Sequence, residues 1–314
     1  MGEGFKASKA TNSNIEPGRA DVPVRQASAP GGRVSKRSRF EVRCFNLPLN
    51  TLRISLGASD AMNAVVETVN LTRDFGSLRA VDGLNLRVEA GQFYGFLGPN
   101  GAGKSTTIKM LTGLLGPTGG SIHILGQDMA NPKLALDVKR RIGVVPENLA
   151  LFDNLTASEY LTFIGRMYLL PADVVRRRRD ELLAMMELPT DGKKVTLEFS
   201  HGMKKKLSLA AALIANPELL FLDEPFEGVD AVASRVLRDT LRQCVSRGAT
   251  VFLTSHVLEI VEKLCTDVGI IAGGRLVHQG TMEELRRDGS SLEDKFLAVV
   301  GEAGHESQKL SWLE

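Results

Sequence analysis

A few short segments carry side chains whose types and spacing could do chemistry. In Gly98-Pro99-Asn100-Gly101-Ala102-Gly103-Lys104-Ser105-Thr106, two glycines bracket four residues and a lysine and a hydroxyl follow, the spacing G-x-x-x-x-G-K-[ST]. Glycines let the backbone curl until successive N–H groups face one anion. Lys104 then adds a point charge for β- and γ-phosphates, and the Ser105 hydroxyl ligates Mg2+. Asp223 and Glu224 end the apolar run LLFL at 219–222. Beside a phosphate-cradling loop, Asp223 holds Mg2+ through water and Glu224 orients or deprotonates the attacking water; without that loop, an acidic pair after a strand reads equally as a cap or turn. FSHGM, 199–203, sets Ser200 and Gly202 just ahead of the helical LSLAAALIA. The N-terminus of a helix is a ready site for an anion, so this is a second one. His256, after TVFLTS, reads in isolation as a satisfied core histidine.

The elements that must position these groups are legible in the hydrophobic patterning. FYGFL, 93–97, is a short apolar run leading into the glycines, the pattern of a strand buried on both faces. IGVV (142–145), LLFL (219–222), TVFLT (250–254) and VGII (268–271) repeat it, with helical stretches between several of them. TTIKMLTGLL reads as the helix after the glycine loop. This alternation predicts a largely parallel sheet covered by helices. Upstream, VVETVNLTRDF and LNLRVE alternate as half-buried strands of an antiparallel sheet. About 148–215 the alternation gives way to helices: Thr156 and Glu159 have capping-box spacing, and DVVRRRRDELLAMMEL follows Pro171 with helical periodicity.

Composition bounds the rest. With 314 residues and 43% apolar content, the chain can bury a sizeable core. Residues 1–61 hold 10 Lys/Arg against 5 Asp/Glu and the remainder 29 against 32, so the body presents no basic groove for nucleic acid. That first segment, rich in Ser, Arg, Gly, Pro and Ala, reads as a disordered basic extension without a secretory h-region. An organelle transit peptide, or an extension ahead of a natural start at Met62, are the other readings. Cys44, Cys244 and Cys265 lack metal or pairing spacing and imply free thiols in a reducing compartment, the cytosol by default. No window of 18 apolar residues exists. Arg176–Arg179 read as a solvated helix face, Lys204–Lys206 as added positive potential near a phosphate, and His123, His278 and His305 lack ligand spacing.

Taken in order, these segments resemble the ATP-binding cassette (ABC) family over about residues 64–285. FSHGM stands where that family carries LSGGQ, VVPEN puts Glu147 where a glutamine usually sits, FEGVDA carries Asp230, LTSH carries His256, and Phe75 of DFGSLRAV falls where an aromatic ring stacks on adenine. The resemblance implies an α/β fold of the P-loop NTPase type: a RecA-like, mostly parallel sheet with an antiparallel β subdomain and an inserted α-helical subdomain. It also implies an ATPase domain at 62–290 and a C-terminal tail at 291–314.

The same resemblance implies ATP and Mg2+ as cofactors, with Glu147 joining Ser105 and Asp223 at the metal. His256 contacts the γ-phosphate and holds Glu224 and the water. Two cassettes pair head to tail, so that Ser200 and Gly202 of one close over the γ-phosphate held by the other. His201 and Met203 depart from the usual glycine and glutamine while leaving the serine and second glycine. Glu147 adds negative charge to the site. The family reading is a transporter subunit, peripheral on the inner, cytoplasmic face of the membrane, working with integral membrane permease subunits. ENLALFDNLTASEYLTFIGRMYLL and SHGMKKKL resemble export-type cassettes. A soluble ABC ATPase acting on ribosomes or DNA is the alternative; such proteins carry two cassettes or long coiled coils, which this chain lacks.

Overall fold

The computed structural model describes residues 64–287 and 291–301; the expectations for residues 1–61, Cys44, His305 and the end of the tail lie outside the described residues. β1 (Ala64–Phe75) and β2 (Leu78–Glu89) form an antiparallel hairpin. β3 (Phe93–Leu97) runs into the glycine loop and α1 (Lys104–Leu111). β4 (Gly119–Ile124) and β5 (Gln127–Asp128) return to the hairpin, and α2 (Pro132–Arg141) leads to β6 (Ile142–Val145). Three helices follow, α3 (Ala157–Met167), α4 (Ala172–Met185) and α5 (His201–Leu213), before β7 (Leu219–Asp223). α6 (Ala231–Ser246), β8 (Thr250–Ser255), α7 (Leu258–Leu264), β9 (Asp267–Ala272) and β10 (Arg275–Thr281) complete the sheets. α8 (Met282–Arg287) and α9 (Leu292–Gly301) close the described chain.

One sheet has the order β2-β1-β4-β5 and is antiparallel; the other has the order β10-β9-β3-β8-β7-β6. In the second, β9, β3, β8, β7 and β6 are parallel and only the edge strand β10 runs against its neighbour. The parallel strands sort their side chains with period two. Phe93 and Leu97, Leu220 and Leu222, Val251 and Leu253 face the helical core, whereas Tyr94, Phe96, Phe221 and Phe252 join a second core with α1 and the antiparallel sheet. In that second core Phe252 stacks on Tyr94 with centroids 5.4 Å apart and touches Phe96 and Phe221. A strand buried on both faces thus has no polar side, which is why its sequence reads as a continuous apolar run.

The helical segment begins at a full capping box: Thr156 Oγ1 accepts from the Glu159 N–H, and Glu159 Oε2 accepts from the Thr156 N–H. α5 joins this segment to the sheet, packing on α3, α4 and α6 and also on β6. Thr156 and Val195 form an isolated bridge within the otherwise helical region. The segment set apart as a tail starts as a helix, with α9 packed on α7 and β9 and Leu292 buried.

The candidate active site

β3, β6, β7 and β8 are parallel neighbours, so their carboxyl ends emerge together at one sheet edge, where ligands of open α/β sheets bind. The glycine loop leaves β3, Glu147 follows β6, Asp223 and Glu224 end β7, and His256 follows β8. Three positions of the loop require glycine. A Cβ on Gly98 would lie 2.4 Å from the Ile271 carbonyl, and one on Gly103, at φ 106°, 2.6 Å from the Ala80 carbonyl. Gly101 has φ 81° with open space around it, so there the requirement is backbone conformation alone. Ala102 is buried, its N–H closing the turn onto the Pro99 carbonyl at 3.1 Å, while Asn100 is exposed at the loop tip. Gly103 caps α1 without any side-chain acceptor, so the first N–H groups of that helix, at Lys104, Ser105 and Thr106, stand at a site open to an anion.

Lys104 Nζ donates to the Gly98 carbonyl at 2.7 Å and the Pro99 carbonyl at 3.3 Å, and lies 3.8 Å from Glu224 Oε1. Ser105 Oγ stands 3.3 Å from Glu147 Oε2 and 3.2 Å from Asp223 Oδ1. This hydroxyl and two carboxylates form an all-oxygen donor set. Among the described residues no three His, Cys, Asp or Glu side chains make a closed metal cage. The arrangement fits Mg2+, which binds through one or two carboxylates and completes its shell with water and phosphate oxygens.

Glu224 is the most constrained residue here. It is 7% exposed, and its φ of 46° places a non-glycine residue in the left-handed region. Its N–H donates to Thr254 Oγ1 at 3.0 Å, and Thr254 in turn donates to Asp223 Oδ1 at 2.6 Å. Its carboxylate lies 3.0 Å from His256 Nδ1 and 3.3 Å from the His256 backbone N. The His256 side chain is 42% exposed, so its ring reaches from Glu224 toward solvent.

Ser200, Gly202 and Asp230 gather instead around the start of α5. Ser200 caps that helix, accepting from the Met203 N–H at 3.2 Å, which leaves its own O–H free to donate. Asp230 caps α6 through the N–H groups of Val232 and Ala233, and its other oxygen lies 3.3 Å from where a Cβ on Gly202 would sit. His201, in the place of a glycine, is turned onto the 227–228 loop: Nε2 donates to the Glu227 carbonyl at 3.2 Å and the ring lies against Gly228. The start of α5 therefore stays open. Phe75 sits at the hairpin end, 45% exposed, with the Arg73 guanidinium 4.5 Å from its ring centre.

Two residues of this neighbourhood hold the site in ways that strand pattern and charge near a phosphate do not reveal. Thr254 was part of a strand, although its register opposite Asp223 on the adjacent parallel strand was the signal that could have found it. Lys205 belonged to a charge run, yet it is 2% exposed and donates to the Glu224 carbonyl at 2.9 Å. Burial lowers the Lys205 pKa, opposed by the nearby carboxylates of Glu227, Asp223, Glu147 and Glu224.

The sequence profile of a family described as ABC transporter matches residues 81–227. The daunorubicin resistance ATP-binding protein DrrA3 of Streptomyces coeruleorubidus is 39% identical over 230 residues, 73% of this chain and 72% of its own length. The bacitracin transport ATP-binding protein BcrA of Bacillus licheniformis is 39% identical over 245 residues, covering 76% and 78%. A solved structure of an ATP-binding subunit of an ABC transporter superposes with a TM-score of 0.69 at 30% identity, over 75% of this chain and 99% of that one. With relatives so named aligned across most of their length, and a phosphate-binding loop and acidic strand end at one sheet edge, this chain belongs to the ABC transporter family, among its ATP-binding subunits.

Proposed function

We propose that this chain hydrolyses ATP to power export through separate integral membrane permease subunits, acting as one half of a head-to-tail pair of cassettes on the cytoplasmic face of the membrane. The observation that carries the reading is the Glu224 carboxylate, buried between Lys104 Nζ and His256 Nδ1 at the mouth of the glycine loop. The loop from Gly98 to Thr106, through the N–H groups that its own turn leaves open, and the Lys104 ammonium bind the β- and γ-phosphates, and the exposed Phe75 ring stacks on adenine. Ser105, Asp223 and Glu147 hold Mg2+, which when bound offsets the charge that builds on the phosphate oxygens. Glu224 orients a water in line with the γ-phosphate and takes its proton. His256 holds that carboxylate through Nδ1 and presents Nε2 toward the γ-phosphate. No covalent intermediate is needed, because phosphoryl transfer is catalysed by positioning and charge stabilisation.

The open N-terminus of α5, with Ser200 and Gly202, and the neighbouring Asp230 serve the γ-phosphate held by a second cassette, a copy of this chain or a related subunit. Export is the direction supported by the relatives, which include a Nod factor export ATP-binding protein from Cupriavidus pinatubonensis at 37% identity. Glu224→Gln tests the core of the reading. Turnover is expected to fall roughly 10²–10⁴-fold, the range for a positioned general base, with nucleotide binding retained. Hydrolysis near the parent rate in that variant rejects the assignment.

A further inference from the structure

Glu224 stands in a backbone conformation that a non-glycine residue adopts at a cost, and such conformations persist only where the surroundings over-determine them. What holds it is visible. On one side Thr254 Oγ1 accepts from the Glu224 N–H. On the other, the Glu224 carbonyl accepts from the Glu227 N–H at 3.3 Å and from Lys205 Nζ at 2.9 Å. The Lys205 bond is the shorter, comes from outside the local turn, and is made by an ammonium that is 2% exposed.

A buried lysine is an expensive way to satisfy one carbonyl, since a neutral donor would do so without desolvating a charge. Its charge has a use here: Glu147, Asp223, Glu224 and Glu227 all lie near enough to favour the ammonium, which offsets the negative charge that Glu147 adds to the site. Lys205 also belongs to α5, whose capping residue Ser200 lies five positions before it. A rigid helix therefore carries an anion site at its start and a grip on the catalytic peptide little more than one turn later.

We propose that Lys205 is a positioning residue for hydrolysis: it clamps the Glu224 peptide in its left-handed conformation, aiming the carboxylate between Lys104 and His256, and ties that aim to the placement of the α5 N-terminus. The inference rests on the reading of Glu224 as the water-orienting base, and it adds a link within one chain between the anion site offered to a partner cassette and the chain's own hydrolytic site.

The test is single-turnover and steady-state ATP hydrolysis by the purified full-length chain. Lys205→Met keeps the buried stem and removes the donor; its kcat is expected to fall roughly 10–100-fold, as for a displacement of about an ångström at a reacting group, with KM for ATP changed by less than about twofold. Lys205→Arg, which restores a charged donor, is expected to recover most of the rate. In a Glu224→Gln background, Lys205→Met is expected to cost nothing further, because the residue acts through Glu224. Should the methionine variant not fold, Lys205→Gln, whose amide nitrogen stands one bond short of Nζ, takes its place in each comparison. A parental kcat in the donor-deficient variant, an equal loss in the arginine variant, or an undiminished loss in the Glu224→Gln background each overturns the proposal. Failure of the Glu224 assignment itself is distinct: Glu224→Gln alone then hydrolyses ATP at the parent rate.

Discussion

At the scale of single residues, the hydrolytic site is a chain of short contacts across neighbouring strands. Thr254 on β8 links the Glu224 peptide to the Asp223 carboxylate on β7, so the groups proposed to hold the metal and to orient the water share one hydroxyl. His256 adds a second hold on Glu224 from the residue just past β8. Its removal leaves the carboxylate with Lys104 at 3.8 Å as its charged neighbour, a pairing that pulls it toward the loop and away from a water. His256→Ala is therefore expected to lower single-turnover hydrolysis roughly 10–100-fold with a smaller loss of nucleotide affinity, because one contact to the γ-phosphate goes while the loop N–H groups and Lys104 stay. A quench-flow measurement beside an equilibrium binding titration reads both.

At the scale of elements, the helical segment depends on how α3 starts. The Thr156–Glu159 box satisfies two N–H groups that would otherwise lack partners. Thr156→Ala is expected to cost about 1 kcal/mol, lowering Tm by about 2–4 °C for a domain of this size, as read by calorimetry. The effect should depend on pH. Hydrogen bonds from the Thr156 backbone and side chain hold the Glu159 carboxyl below its usual range. Its contribution is thus fully present above the ordinary carboxylate pKa and lost as pH falls through the depressed one. The difference between parent and variant should shrink in strong acid and be constant near neutrality. β3 illustrates the opposite kind of constraint: a Cβ on Gly95 would lie 2.7 Å from Val261 Cγ1 and 3.0 Å from Cys265 Sγ, so glycine there lets α7 lie close to the strand. Cys265 is sealed in that contact and its burial pushes the thiol pKa up, which suits packing and not reactivity.

At the scale of the whole molecule, α5 carries Ser200 at its start and reaches the Glu224 carbonyl through Lys205, joining the two proposed anion sites. Among the described residues neither the start of α5 nor Phe75 bonds to the glycine-loop cluster, and Ser200 Oγ accepts from the Met203 N–H, leaving its O–H to donate. The proposed head-to-tail pair gives that donor a phosphate. With saturating Mg·ATP, Glu224→Gln is expected to run at twice the monomer mass in light scattering coupled to gel filtration. Ser200→Glu in the same background sets a carboxylate against the γ-phosphate and is expected to stay monomeric. A Glu224→Gln chain that remains monomeric with its membrane partner present contradicts the pairing.

The sequence by itself determined the parallel strands, because strands covered on both faces must be apolar throughout, and it determined the glycine loop, Asp223 and Glu224, because their spacing has a chemical reason. It also marked the capping box that opens α3. β4 escaped it, since GGSIHI mixes glycine and histidine into too weak an alternation, as did β10, an edge strand whose pattern reads as a loop. Only the tertiary structure decided that Lys205 is buried against the Glu224 carbonyl while Lys206 pairs with Glu187. Only the structure, likewise, decided that Glu224 turns left-handed and that His201 folds away from the α5 N-terminus. The reason is physical: burial and backbone strain at a residue are set by what the distant chain packs against it, here strands and a helix that meet only once the sheet is assembled.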